Sequence, residues 1–195
     1  MIMDRQTLRR ELIARRNALS PDRQRDHAAV VAASVWRLPV LARGRNIALY
    51  HAVGGELDCS AIIAAAWARG RHVFMPVLHK DALKFGRTTP ATPLVANRYG
   101  IPEPAVRRRD LCNPASLDVV LCPLVGFDVS GQRLGMGGGY YDRSFAFLLR
   151  RSGWRRPCLI GLAHDCQNVP QLKGCTWDVP LDYVVTEARR YRCSG

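Results

Sequence analysis

Lysine is scarce in this chain of 195 residues, acidic residues are outnumbered, and no long apolar run occurs. Asp and Glu total 16 against 29 Lys and Arg, nearly all of them arginine, for a formal net charge of +13. No apolar stretch approaches the ~18 residues of a membrane span, and the opening MIMDRQTLRRELIARR has charges where a signal peptide needs its apolar centre. A cytoplasmic protein, with no membrane partner, is expected. Seven cysteines, at 59, 112, 122, 158, 166, 175 and 193, are odd in number and never closer than eight apart, so neither a CxxC zinc pair nor a disulfide framework is indicated. No Gly-Lys-Ser/Thr ends a Walker A loop, and there is no internal repeat and no linker. No helix-turn-helix, zinc finger or ribonucleoprotein aromatic motif accompanies the arginines. Their clusters at 5–16, 107–109, 150–156 and 189–192 therefore read as solvated faces rather than as a specific nucleic-acid surface.

What is present is apolar residues at 48%, enough for one compact domain over 1–195. Short apolar runs near 47, 73, 119, 159 and 183 alternate with helical patterns near 22, 60 and 140. That alternation predicts an α/β fold, a single open, mainly parallel sheet covered by helices on both faces. Residues 4–17 read as a basic amphipathic helix with Leu8, Leu12 and Ile13 as its apolar stripe. Ser20-Pro21 starts a second helix running to about Arg37 with Ala29, Ala33 and Trp36 inward. Asp58 reads as the N-cap of a helix over Ser60–Arg69 that Gly70 ends. The Pro- and Thr-rich segment 86–117 reads as a long loop across the sheet edge, and loops of that length are usually functional or disordered.

The chain is organised around Asp118–Leu149. Val119–Leu124 is a nearly uninterrupted apolar run, as for a strand buried on both faces. Asp128, Ser130 and Gly131 turn it, and Gly135, Gly137, Gly138 and Gly139 follow. Glycines at this density let backbone amides approach a ligand that side chains would hold off, and Tyr140–Arg150 continues as a helix whose N-terminus favours an anion. Tyr140 stands where the third glycine of a dinucleotide GxGxxG would fall, which excludes that fingerprint. Arg133 and Arg143 offer forked donors for phosphate, and Asp142 beside them suits an Mg²⁺ bridging carboxylate and phosphates. Two plainer readings stand beside these: a tight connection whose glycines only permit positive φ, and an Asp142 that only complements the helix dipole. Glu56 and His51 lie in a glycine-bearing loop after a strand, where open α/β sheets bind ligands. A Cys166–His164 pair adjacent in sequence is poor evidence for a catalytic dyad.

Gly131-Gln-Arg-Leu-Gly-Met-Gly-Gly-Gly-Tyr-Tyr-Asp-Arg143 resembles the signature of the 5-formyltetrahydrofolate cyclo-ligase family. Arg5-Gln-Thr-Leu-Arg9, Pro123–Asp128, Gly100-Ile-Pro-Glu-Pro104 and Asp178-Val-Pro-Leu-Asp182 resemble further family segments in family order, so the likeness spans residues 5 to about 186. It implies ATP-dependent closure of 5-formyltetrahydrofolate to 5,10-methenyltetrahydrofolate with ATP and Mg²⁺. It places Arg5, Arg9, Arg133, Leu134, Gly135, Met136, Gly137, Gly138, Gly139, Tyr140 and Tyr141 at the nucleotide, with Arg133, Tyr140 and Tyr141 at the reacting centre. By the same likeness His51, Glu56 and Phe85 contact the folate, with or without a polyglutamate tail, and Asp142 and Asp178 hold the metal. A monomer acting on this small molecule is expected. Arg5 stands where the family has lysine, and Met136 where some members have a basic residue, which leaves phosphate contacts to loop amides and Arg133. Asp142→Asn is expected to cost turnover and little stability. A sugar-phosphate or nucleotide-binding isomerase or transferase, or a basic nucleic-acid-binding module, are the alternatives.

Overall fold

A computed structural model describes residues 4–150 and 156–193; Arg151 and Arg155 of the 150–156 cluster lie outside the described residues. Helix α1, Arg5–Asn17, starts where the Asp4 carboxylate accepts from the amides of Gln6 and Thr7 at 2.8 and 3.1 Å. Ser20 caps α2, Pro21–Val35, and a short α3, Pro39–Arg43, follows. The inward face of α2 is Ala28, Val31 and Val35, one position away from the expected Ala29 and Ala33, which are exposed. Alanine-rich sequence shows no sharp apolar stripe, and the two valines set the rotation.

Strand β1, Asn46–Ala48, leads through a loop to α4, Ser60–Ala68. Asp58, the expected cap, lies one residue ahead of the observed N-cap Cys59 and accepts from the Ser60 amide at 2.9 Å and its hydroxyl at 2.6 Å. Gly70 follows α4 with φ of 65°. β2, His72–His79, and β3, Ala82–Thr88, form a hairpin. The segment read as a long loop is ordered by pairing: β4, Leu94–Ala96, with β5, Pro102–Pro104, and β6, Leu111–Cys112, with β3. β7, Val119–Cys122, is buried throughout and stops at Pro123. β8, Gly126–Phe127, and β9, Arg133–Leu134, flank a turn in which Asp128 Oδ1 accepts from the amides of Ser130 and Gln132 and from the Ser130 hydroxyl. α5 covers Tyr140–Phe145 alone and tightens into a 3₁₀ turn over Ala146–Arg150. β10, Cys158–Leu162, β11, Tyr183–Val185, and β12, Arg190–Arg192, complete the chain.

The main sheet runs β12-β11-β10-β7-β1-β2-β3-β6, with β11 through β2 parallel and the outer strands antiparallel. Alternate residues of the central strands feed two cores. Ile47, Val119, Leu121, Ile160 and Val185 pack under α2, α3 and α4, while Ala48, Val120, Leu159 and Val184 pack with Phe145 of α5. A third cluster, Leu12, Val125, Leu134, Val169 and Leu172, seats α1 against the β8–β9 hairpin.

Candidate active site

The glycine loop leaves β9 and enters α5 in the left-handed region, with φ of 103° at Gly137 and 65° at Gly139. Among the described residues, no hydrogen bond occupies the amides of Met136 to Gly139. Those amides line an open surface, and a Cβ at Gly137 would stand 3.7 Å from the Arg9 guanidinium. Arg9 is held over the loop by its Nε–H, which donates to the Gly135 carbonyl at 2.8 Å. The Arg143 guanidinium donates to the Gly138 carbonyl at 2.6 Å and also to the Asp81 carbonyl, so it ties the loop to the β2–β3 turn. With α5 shorter than two turns, the macrodipole adds less than the sequence suggested, and the amides and Arg9 dominate the cradle's pull on an anion.

Arg133 is not a free phosphate donor. Its side chain, 4% exposed, donates to the Val179 carbonyl and to Asp142 Oδ1, each at 2.6 Å. The Val179 amide donates to the same oxygen at 3.1 Å, so Asp142 is aimed, with Oδ2 left for a cation. Asp178 is arranged alike: Oδ2 accepts from Arg5 at 2.8 Å and from the Cys175 amide at 2.9 Å. Each carboxylate keeps a second oxygen outside its described hydrogen bonds, which fits one or two carboxylates holding Mg²⁺ against phosphates. The Leu134 side chain is buried beside Leu12, so this residue can meet a ligand only through backbone; Met136 is 64% exposed.

Tyr140 and Tyr141 point apart. The Tyr140 hydroxyl accepts from Arg98 at 2.6 Å and lies 2.9 Å from the Tyr99 hydroxyl, both at the tip of the β4–β5 hairpin. Those two hydrogen bonds, Tyr99's first, hold its pKa below the ordinary phenol value. Tyr141 stacks on Phe145 at 6.2 Å and turns inward, where burial pushes its phenol well up and Cys122 and Glu56 add to the shift. Tyr141 thus turns away from the Arg98–Tyr99 tip that Tyr140 meets.

A cleft of about 460 Å³ has a lining that includes His51, Val53, Glu56, Asp58, Ile63 and Pro102. Glu56 accepts from the Val53 amide at 3.2 Å, and burial raises its carboxyl pKa. Burial also lowers the pKa of His51, leaving a neutral ring at the mouth. Phe85 does not reach this space: at 0% exposure it lies in the core 6.0 Å from Phe145, because β3 turns it under α5. Its part is to support α5 from beneath.

Arg16, which the sequence reading passed over, is 2% exposed beneath the loop, with its Nη1 3.4 Å from the Leu124 carbonyl and its buried Nε without a partner. Burial holds its pKa below the guanidinium value and the Glu56 carboxylate pulls the other way. The signal was available in the spacing: Arg5, Arg9, Leu12 and Arg16 recur at four, three and four, one face of α1. The Cys166–His164 dyad finds no support, since burial raises the thiol's pKa and, with His27, lowers the imidazole's to about 4.

The model of the 5-formyltetrahydrofolate cyclo-ligase family matches residues 1–187. The chain belongs to that family. A 5-formyltetrahydrofolate cyclo-ligase of Escherichia coli K12 is 38% identical over 180 residues, covering 90% of this chain and 96% of its own length. One of Haemophilus influenzae is 37% identical over 182 residues, covering 91% and 94%. The solved structure of Aquifex aeolicus 5,10-methenyltetrahydrofolate synthetase superposes with a TM-score of 0.82 at 29% identity, over 97% of this chain and 93% of the other. Cyclo-ligase relatives and the fold neighbour therefore agree on the family and on the fold.

Proposed function

We propose that the protein converts 5-formyltetrahydrofolate and ATP into 5,10-methenyltetrahydrofolate, ADP and phosphate, acting in the cytoplasm as a monomer. The observation that carries the reading is a pair of features in one domain: loop amides left unoccupied beside Arg9, and a cleft that holds Glu56 and His51. The formyl oxygen is a poor leaving group. Transfer of the γ-phosphoryl group to it, followed by attack of N-10 on the activated carbon and loss of the N-10 proton, lets the oxygen depart as phosphate. Such chemistry needs alignment and charge neutralisation rather than a protein nucleophile. Arg9 and the amides of 136–139 hold the phosphates, and the Arg133 and Val179 contacts keep Asp142 aimed. The half-buried Tyr141, stacked on Phe145, steadies the start of α5 behind the loop. Glu56 and His51 orient the pterin in the cleft, Glu56 accepting from its ring N–H groups. Asp142 and Asp178 would hold Mg²⁺, which lowers the charge on the transferring phosphoryl oxygens. Met136 lies at the loop's exposed rim and takes no charged contact.

Incubating purified protein with Mg·ATP and 5-formyltetrahydrofolate should produce the methenyl chromophore. Gly137→Val fills the approach to the loop and demands positive φ of a branched residue, so it should abolish ATP binding in calorimetry while the protein stays folded. No chromophore under saturating substrates would sink the assignment.

A further inference from the structure

Away from the nucleotide loop, α2, the segment after β10 and the turn between β11 and β12 converge on His27, His164 and Glu187. One donor atom of each lies within 4.8 Å of the others. His27 Nδ1 is 3.0 Å from His164 Nδ1 and 3.3 Å from Glu187 Oε1. Hydrogen bonding alone serves these contacts poorly. A proton on His27 Nδ1 must be divided between two acceptors, and a proton on His164 Nδ1 leaves the His27 lone pair facing a carboxylate oxygen. Three lone-pair atoms thus point at one another with a single proton among them.

A cation resolves that crowding, and the two short spacings, 3.0 and 3.3 Å, are near what one needs. A tetrahedral ion with N and O bonds of about 2.0–2.2 Å sets its ligands roughly 3.3–3.5 Å apart. Two imidazoles and a carboxylate suit zinc or a similar transition ion rather than Mg²⁺ or Ca²⁺, which prefer oxygen. Supporting contacts are in place. The Asp165 amide donates to both Glu187 oxygens, at 3.2 and 3.0 Å, and fixes the carboxylate. His164 is fully buried close to the Gly55 backbone, and among the described residues its Nε2 has no hydrogen-bond partner. The His27 and Glu187 side chains are 13% and 19% exposed, which leaves a path for the ion and room for a water as fourth ligand.

We propose that His27, His164 and Glu187 bind one divalent transition ion, Zn²⁺ by its chemistry, that clamps α2 to the ends of β10 and β11. Through Gly55 the clamp also steadies the loop that carries Glu56. The test uses tag-free, metal-stripped full chain titrated with Co²⁺ and Zn²⁺ by visible spectroscopy and calorimetry. One equivalent should bind, Co²⁺ should give four-coordinate ligand-field bands without thiolate charge transfer, and Tm should climb with Zn²⁺ concentration by mass action. His27→Gln and Glu187→Gln should each weaken binding by on the order of 100-fold or more. Absence of saturable binding, thiolate bands pointing to the cysteines, or affinity unchanged in both variants would overturn the proposal. Should a variant fail to fold, the stoichiometry and spectrum of the parent protein decide alone.

Discussion

Asp142 illustrates how a side chain's partners alter what its loss would mean. From the sequence an Asn at this position looks nearly neutral for stability, but the structure sets Asp142 against an arginine that is almost wholly buried. Asp142→Asn should therefore lower turnover by on the order of 10²-fold and also cost about 2 kcal/mol in chemical denaturation, because Arg133 keeps a hydrogen bond but loses its countercharge. Full stability in the variant would show that the pair contributes nothing. Glu56 carries the opposite sign. Its carboxyl pKa is raised above the ordinary carboxyl value, chiefly by burial, so the ionised form opposes the fold. That penalty is absent below the unfolded pKa and is complete once pH has risen through the folded one. Glu56→Gln should raise Tm at neutral pH, lose that advantage on acidification below the carboxyl range, and raise the KM for folate. A lower Tm at pH 7 would contradict it.

Among the elements, α1 shows best what was legible and what was not. Its start, length and apolar stripe follow from Asp4, Leu8 and Leu12, and the sheet strands follow from their apolar runs. The rotation of α2 did not, since alanine on several faces gives packing no preference that sequence can show. Nor did the burial of Phe85 or the capture of Arg133 by Asp142, because both depend on contacts between distant segments. The hairpin β4–β5 was hidden by its prolines, which suit edge strands yet read as loop. α1 delivers Arg5 and Arg9 to the site through a close contact: a Cβ on Gly126 would stand 2.4 Å from Leu12 Cδ1. Gly126→Ala should push α1 outward, costing about 1–3 kcal/mol of stability and weakening ATP binding while folate affinity holds. Equal losses for both ligands would mean that the helix does not act on the cradle specifically.

For the molecule as a whole the charge of +13 remains its least local property. Its arginines are spread over the chain, and within α1 Arg5 pairs with Asp178 and Arg15 with Glu11 while Arg10 is exposed. Retention on duplex DNA should be weak, without sequence preference, and fall steeply with added salt, and Gly137→Val should leave it unchanged. Tight, salt-resistant binding in a mobility-shift assay would argue for a nucleic-acid role instead. The contact of Arg5 with Asp178 joins positions 173 residues apart, and this bears on biosynthesis. The helix that presents Arg5 and Arg9 leaves a ribosome well before its anchor, which is made 173 residues later. Contacts of such separation form late and slow folding. A growing chain can form α1 early, but Arg5 stays without its carboxylate partner until Asp178 has been made, so the end of α1 is fixed against the fold only after most of the domain is in place.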